Sequence, residues 1–266
     1  MISKNNKFIK DNIAALNMWK VWKFMAVMEH KKKFRGSFIG SAWPLVNLSI
    51  TTAILTLVYG TILNQPLNDF MPRLLVGLTI WNYLTRSLLE GSFAFTSSAG
   101  YIKQLCCPKQ IYLWKSWLCI LISFKLELLF CVLVSLFFGK ITFYGLIVSS
   151  IGLLNIITIS YFHILLTGYL GGIFLDLHRI ISSIIPLLFL VTPVMFSRQF
   201  LELHKIDFIY FLNPFSHMID ILRIPLLTSH LAPFESYCIS FAYICVVCIF
   251  GLYFAFKLDN KIVYYL

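Results

Sequence analysis

Residues 29–44 read EHKKKFRGSFIGSAWP, in which a cluster of positive charge stands directly before a long apolar run. The cations of the cluster are Lys31, Lys32, Lys33 and Arg35. Lysine and arginine beside a membrane helix are attracted to anionic headgroups of the cytoplasmic leaflet, by about 1 kcal/mol for each charge. The stretch therefore predicts a cytoplasmic anchor followed by a membrane-spanning helix.

The composition of the whole chain supports this interpretation. Of its 266 residues, 59% are hydrophobic and 12% are charged, whereas about a quarter of a soluble domain is charged. Because one soluble core cannot bury so much apolar surface, the expected solvent is a bilayer. The net charge of +11 would also suit nucleic acid. The cations stand at the edges of apolar runs and form no separate basic domain, so we expect no nucleic-acid partner.

Six apolar segments have about the 20 residues that a helix needs to cross the hydrocarbon. They cover residues 42–63, 74–97, 115–138, 145–173, 180–197 and 236–256. The fifth contains Pro186 and Pro193, which predict a bent or partly re-entrant helix. The predicted fold is an all-α integral membrane protein, with a cytoplasmic N-terminal segment over 1–35 and a six-span transmembrane domain over 36–266.

The distribution of lysine and arginine orients these spans. With the N-terminus inside, the cytoplasmic segments hold 15 of these cations and the outer segments hold five. Cytoplasmic loops of membrane proteins carry an excess of lysine and arginine. Both termini are therefore predicted to be cytoplasmic.

Two regions outside the spans are predicted to lie at the membrane surface. An amphipathic helix over 7–28 would rest on the inner leaflet, with a helix packed on another protein as the alternative. Its apolar face consists of Ile9, Ile13, Leu16, Phe24 and Val27. The segment 198–235 mixes apolar and charged residues, and it predicts short re-entrant helices on the outer side that break near Asn213–Pro214.

The sequence carries no evident reaction chemistry. Its seven cysteines are odd in number and most lie in apolar runs, which argues against a disulfide framework. The adjacent Cys106 and Cys107 lack zinc-ligand spacing. The chain has no phosphate-binding loop, no H-E-x-x-H and no G-x-S-x-G. We expect no catalytic, cofactor-binding or metal-binding residue in it, and any energy that it needs would come from a partner or a gradient.

Charged residues also fall inside the predicted spans. Arg86 and Glu90 stand four residues apart on one face of the second span, and Lys125 and Glu127 lie in the third. Charges at this depth are costly and are usually paired or line a polar path. Both interpretations stay open: an ion pair that joins the two helices, or a polar pathway. His163, in the fourth span, is expected to be a hydrogen-bonded structural residue.

Four motifs in chain order resemble the membrane permease subunits of ABC transporters that export polysaccharides of the O-antigen, capsule or teichoic-acid type. In KKKFRGSFIGSAWP, Ser37, Gly40 and Trp43 are in register with the S-x-x-G-x-x-W of that family. The other motifs are GLTIWNYL (77–84) with GYIKQLCCPKQIY (100–112), TPVMF (192–196) and NPFSHMIDILR (213–223).

This resemblance implies a homodimer in the inner membrane of a bacterium, working with two copies of a separate ATPase that would hold ATP and Mg²⁺. The segment FLDLHRI (174–180) departs from the family, because it keeps Asp176 but places Arg179 later than the aromatic-Arg-Asp motif would. The role of that loop therefore stays open. The residues expected to couple to the ATPase are Tyr101, Ile102, Lys103, Gln104, Pro108 and Lys109.

The resemblance also implies a channel for a lipid-linked glycan. Sugars stack on aromatic rings, although such rings also fill membrane cores and interface belts. The candidates for the channel lining are Trp43, Tyr59, Trp81, Tyr83, Phe93 and Phe95. The cations Lys31, Lys32, Lys33 and Arg35 would receive a pyrophosphate-linked lipid at the inner leaflet. The outer gate would contain Asn213, Pro214, His217 and Arg223.

Other functions stay open on the sequence. An ABC permease for a drug or a small lipid would have a narrow pocket instead of an aromatic tunnel. A membrane-embedded enzyme would need a cluster of catalytic groups, which the sequence lacks, and a non-transport scaffold would need no ATPase. A permease that exports teichoic acid is a further alternative.

Overall fold

The structure is a computed structural model that describes residues 4–104, 107–196, 198 and 208–266, and this part of the chain contains helices and no strand. The prediction of an all-α fold is confirmed. The helices are α1 (Lys4–Asn17), α2 (Trp19–Lys33), α3 (Trp43–Ile62), α4 (Leu67–Phe93), α5 (Ala99–Gln104), α6 (Gln110–Phe137), α7 (Phe143–Gly171), α8 (Leu177–Val191), α9 (Phe208–Leu212), α10 (Pro214–Thr228), α11 (Phe234–Leu258) and α12 (Ile262–Tyr265).

Among the described helices, four are long and apolar enough to cross a membrane: α3 with the 3₁₀ turn before it, α6, α7 and α11. They make the chain a membrane protein. The predicted second span corresponds to α4, which is 27 residues long but carries four charged residues. The predicted fifth span corresponds to α8, which has only 15 residues. The count of six spans therefore stays a prediction.

Proline sets the end of α8. The helix accommodates Pro186 but ends at Val191, and Thr192 is extended with ψ of 126°. Pro193 explains this end, because the ring of a proline disfavours helical geometry in the residue before it. The segment 192–196 consequently leaves the helix and returns toward α10.

The helix α10 extends along only about half of the length of the bundle. At its start, the Phe215 ring lies 5.8 Å from Trp81, 6.2 Å from His163 and 6.0 Å from Tyr243, all well inside their helices. Just after its end, Ser229 contacts Thr142 in the connection between α6 and α7. A Cβ at Gly152 of α7 would overlap the backbone of α10, so the glycine permits this close packing.

The two ends of the bundle differ in charge. At one end, Lys109 of the α5–α6 connection contacts Asp259 after α11, and Ile262 of α12 lies against Gly172. We call this the basic end, because α1, α2 and α5 carry most of the lysines that the sequence predicts to be cytoplasmic. At the opposite end, Lys140 pairs with Asp69.

The N-terminal segment forms two helices instead of the single helix expected over 7–28, since α1 and α2 are separated at Met18. Both pack on the bundle: Phe8 lies 5.0 Å from the Phe256 ring, and Trp22 stacks on Trp114 at 5.8 Å. Four residues of the predicted apolar face nevertheless remain exposed: Ile9, Ile13, Leu16 and Phe24. Their position on a leaflet stays a prediction.

Candidate functional site

The turn before α3 is organised by the hydroxyl of Ser37. It accepts hydrogen bonds from the backbone N–H of Gly40 at 3.3 Å and from the indole N–H of Trp43 at 2.7 Å. Gly40 has φ of +60°, a left-handed conformation that favours glycine. The three residues of the S-x-x-G-x-x-W motif thus form one unit, which fixes the Trp43 ring at the start of α3.

A groove of about 550 Å³ lies beside this turn, between α3 and α4. Its walls combine aromatic rings with amide, hydroxyl and guanidinium groups, and they include Phe34, Trp43, Asn47, Thr51, Asn82 and Arg86. Such walls offer an apolar face together with hydrogen-bond donors and acceptors. This combination suits a polyhydroxylated ligand.

An ion pair lies directly behind the groove. Arg86 of α4 donates to Glu127 of α6, whose side chain is fully buried. Removing a buried charge's partner costs about 3–5 kcal/mol. The pair therefore fixes α4 against α6 while the partly exposed Arg86 side chain still reaches the groove. Lys125, two residues from Glu127, is exposed and forms no ion pair with a described carboxylate.

Two further ion pairs attach α2 to the bundle. The Lys33 ammonium lies 2.6 Å from the Glu90 carboxylate of α4, and Lys115 of α6 lies 2.7 Å from Glu29. Burial is the largest single influence and lowers the pKa of the Lys33 ammonium, but the Glu90 carboxylate, the hydrogen bond that Lys33 donates to it and other nearby charges together raise this pKa. Of the four clustered cations, Lys31, Lys32 and Arg35 remain exposed without an ion pair to a described residue.

The six aromatic candidates for the channel lining differ in their exposure. Trp43 and Phe93 are exposed and Tyr59 is half-buried, whereas Trp81, Tyr83 and Phe95 lie inside the bundle. Tyr83 stacks on Phe124 at 3.9 Å, and its hydroxyl bonds Ser160 at 2.7 Å. The three interior rings therefore pack the core of this chain, and a lining role stays a prediction for all six residues.

The inner loop contains the short helix α5. Tyr101, Lys103 and Gln104 are exposed on it, while Ile102 packs against the core. Pro108 lies two residues before α6 begins and is half-buried. The exposed side chains present a small polar and aromatic surface at the basic end of the bundle.

Lys109 has a different environment from the rest of this loop. It forms an ion pair of 3.3 Å with the buried Asp259. The same carboxylate accepts hydrogen bonds from Gln110 at 3.1 Å and from the Tyr169 hydroxyl at 2.8 Å. Asp259 thereby joins the loop to α7 and α11, a role that sequence reasoning missed because the carboxylate stands near the C-terminus, far from its partners.

At the opposite end, hydrogen bonds join the two late motifs. The Asn213 amide donates to the Thr192 hydroxyl at 2.7 Å, and its oxygen caps α10 by accepting from Phe215 N–H at 3.0 Å. Arg223 donates to the Val194 carbonyl at 3.1 Å. These hydrogen bonds join the motif TPVMF (192–196) to the motif NPFSHMIDILR (213–223).

The other residues of this region complete the contact. Pro214 is the first residue of α10, where its missing N–H costs nothing, and the buried His217 bonds Ser236 at 3.1 Å. A Cβ at Gly77, the first residue of GLTIWNYL, would lie 3.1 Å from Val194 Cγ1 and 3.5 Å from Arg223 Nη1. Three motifs that are distant in the sequence therefore meet here.

Buried polar bonds also support the middle of the bundle. His163 bonds Ser87 at 2.8 Å through Nδ1 and the Tyr243 hydroxyl at 3.0 Å through Nε2. The prediction of a hydrogen-bonded His163 is confirmed. In the α7–α8 connection, Arg179 pairs with Asp176 at 3.1 Å, and both side chains are largely exposed.

Comparison with known proteins finds sequences that are similar to this chain. It is 24% identical over 177 residues to the O-antigen export system permease protein RfbA of Myxococcus xanthus, covering 65% of this chain and 67% of that protein. Two proteins of the same name from Klebsiella pneumoniae are 23% and 22% identical over 197 residues, or 71% of this chain and 73% of each relative. No protein-family model matches the chain. The resemblance to polysaccharide-exporting permeases is confirmed at this level of identity.

Proposed function

We propose that this chain is the channel-forming membrane subunit of an ATP-driven exporter of lipid-linked polysaccharide, with O-antigen as the leading cargo. The observation that supports this proposal most strongly is the similarity to three curated O-antigen export permeases, over 65–71% of the chain. The contacts of the motif residues add support. Ser37, Gly40 and Trp43 form one turn, and the motifs around Gly77, Val194 and Arg223 meet at the other end.

The proposed protein crosses the bacterial inner membrane six times. The helices α4 and α8 are the two further spans, and the basic end faces the cytoplasm, as the distribution of lysine and arginine requires. The charge of α4 is compatible with this position, because Arg86 and Glu90 both have ion-pair partners. The half-length α10 and the short α9 would be the re-entrant gate helices.

In this proposal the groove between α3 and α4 is one wall of the glycan path. Trp43 offers a ring for sugar stacking, and Asn47, Asn82 and Arg86 offer weak, exchangeable hydrogen bonds. A polymer slides when each contact is weak and many are made. Because the groove is open on one side, a second copy of the chain would close it, as expected for a homodimer with closed symmetry.

The basic end would serve both the substrate and the ATPase. Lys31, Lys32 and Arg35 are exposed beside the groove and would attract the pyrophosphate of a lipid-linked substrate. The exposed side chains of α5 would contact an ATPase subunit, one for each copy of the chain, which would bind ATP and Mg²⁺. The ion pair from Lys109 to Asp259 would transmit movement of this loop to α7 and α11.

Co-purification tests the proposal. The full chain is tagged at its C-terminus, extracted in mild detergent, and its stoichiometric partners are identified by mass spectrometry. A cytoplasmic ATPase in equal amount is expected. Recovery of the intact chain without any ATPase would contradict an ATP-driven exporter and favour a scaffold. An ATPase whose activity rises with a drug or a small lipid, and not with a glycan lipid, would favour the narrower permease.

A further inference from the structure

A second cavity, of about 380 Å³, opens at the end of the bundle opposite the basic end. It lies between the start of α4 and one face of α10. Its charged lining residues are Asp69, Arg73, Lys140, Arg198, Asp220 and Arg223. The described lining residues thus include four cations and two carboxylates, which is a surplus of positive charge among them. Glu235, outside the lining, approaches Arg198 to 3.8 Å and offsets part of this surplus.

Among the described residues, the ion pairs within the cavity leave Arg73 without a carboxylate at ion-pair distance. Arg223 donates to Asp220 through Nε at 3.1 Å and through Nη2 at 2.6 Å. Lys140 pairs with Asp69. Arg73 makes one hydrogen bond among the described residues, of 3.4 Å to the amide oxygen of Gln65, although a guanidinium has five N–H donors.

We propose that this cavity binds a phosphate-bearing anion, held by the Arg73 guanidinium between Lys140 and Arg223. The planar fork of an arginine matches two oxygens of a phosphate. Lys140 and Arg223 each have a carboxylate partner, and they would add hydrogen bonds through their remaining N–H donors. Pro72, Ile224 and Leu227 add an apolar wall. The cavity therefore suits an organic phosphate, such as the headgroup of an anionic phospholipid, as well as inorganic phosphate.

A bound anion would connect α4 and α10. Arg73 belongs to α4 and Arg223 to α10, so one ligand would bridge the long helix and the half-length helix. Occupancy would stabilise α10 in the position described here. The inference rests on the cavity alone and does not depend on polysaccharide export.

The test uses the full chain in a maltoside detergent and a phosphate-free buffer. The midpoint of thermal unfolding is measured at constant ionic strength with inorganic phosphate, with phosphatidylglycerol, or with an uncharged glycolipid. Arg73→Gln removes the proposed ligand group, and Lys261→Gln, an exposed cation near the C-terminus, is the matched control. We expect phosphatidylglycerol to raise the midpoint of the wild-type chain and of the Lys261→Gln variant.

For Arg73→Gln we expect the ligand concentration at half-saturation to be at least about tenfold higher than for the wild-type chain, because a charge-assisted hydrogen bond is lost. A rise with both phosphate probes assigns the site to phosphate in general, and a rise with phosphatidylglycerol alone assigns it to the lipid headgroup. If neither probe raises the midpoint, or if Arg73→Gln responds as the wild type does, the proposal is wrong. Should Arg73→Gln fail to fold, Arg73→Lys keeps the charge without the fork and must also respond more weakly.

Discussion

The ammonium group of Lys109 lies 3.3 Å from the carboxylate of Asp259, and this ion pair joins the loop after α5 to the end of α11. The partners are 150 residues apart in the sequence, and both side chains are largely buried. The loop that the proposed ATPase would contact is therefore attached to the membrane helices through a defined bond.

Asp259→Ala should destabilise the chain. The variant leaves Lys109, Gln110 and the Tyr169 hydroxyl without their shared acceptor, and breaking a buried ion pair costs about 3–5 kcal/mol. We expect a clear fall in the midpoint of thermal unfolding in detergent. Asp176→Ala is the matched control, because Asp176 pairs with Arg179 on an exposed surface, where an ion pair contributes at most about 1 kcal/mol. Equal midpoints for the two variants would contradict the role of Asp259.

Lys103→Glu should separate ATP hydrolysis from export while leaving the fold intact. Lys103 is exposed on α5 and has no described ion-pair partner, so reversing its charge changes the surface offered to the ATPase. The expected result is normal abundance and a normal unfolding midpoint, with export reduced severalfold and ATP hydrolysis by the complex no longer stimulated by substrate. Lys109→Glu should in addition lower the midpoint, because it also places two carboxylates together. Unchanged export in Lys103→Glu would remove α5 as the coupling helix.

Variants of the pair Arg86–Glu127 test whether these two charges stabilise the fold or line the glycan path. Arg86→Leu alone leaves a fully buried carboxylate unpaired and should destabilise the chain by about 3–5 kcal/mol. The double variant Arg86→Leu/Glu127→Leu removes both charges and should recover most of that loss. The unfolding midpoints of the three chains give the comparison.

Export by the double variant then decides between the two roles. If the pair only joins α4 to α6, the stable double variant should export normally. Our proposal places Arg86 on the wall of the glycan path, so we expect export to fall although stability is recovered. Full export would restrict the pair to a structural role.

Gly152→Ala should disturb the packing of α10 on α7. A Cβ at this position overlaps the backbone of Ile221 and Leu222, and overpacking costs about 1–3 kcal/mol. Gly251→Ala is the control, because its new methyl group would lie 3.3 Å from the end of the Leu165 side chain and no closer than 3.7 Å to backbone, at Leu166 N. We expect a lower unfolding midpoint for Gly152→Ala alone, and similar midpoints would show that α10 is not held in this way.

Hydrophobic periodicity and charge predicted the helical elements well, because long apolar runs have few alternatives in a membrane protein. The start of α4 was harder to predict from the sequence. Asp69 and Arg73 resemble loop residues in the sequence, but the helix begins at Leu67 and places both in a cavity with Lys140. That placement depends on a contact with a distant part of the chain.

Long-range pairing was the main obstacle to predicting the site. The sequence allowed an ion pair between the second and third predicted spans, which contain Arg86 and Glu127, yet nothing in it indicated that Glu90 would pair with Lys33 of α2. Similarly, aromatic content could not distinguish Tyr83, which stacks inside the bundle, from Trp43, which remains on the surface. Residue type alone does not determine which face of a buried helix meets its neighbours.

The central claim, export of lipid-linked polysaccharide, is tested most directly in a strain that lacks this chain. Surface polysaccharide is measured by antibody labelling of intact cells, and lipid-linked polysaccharide is measured in isolated inner membranes. We predict loss of the surface polymer with accumulation of the lipid-linked form on the cytoplasmic side, and restoration of both by the wild-type chain. Normal surface polysaccharide with no intracellular accumulation would contradict the account.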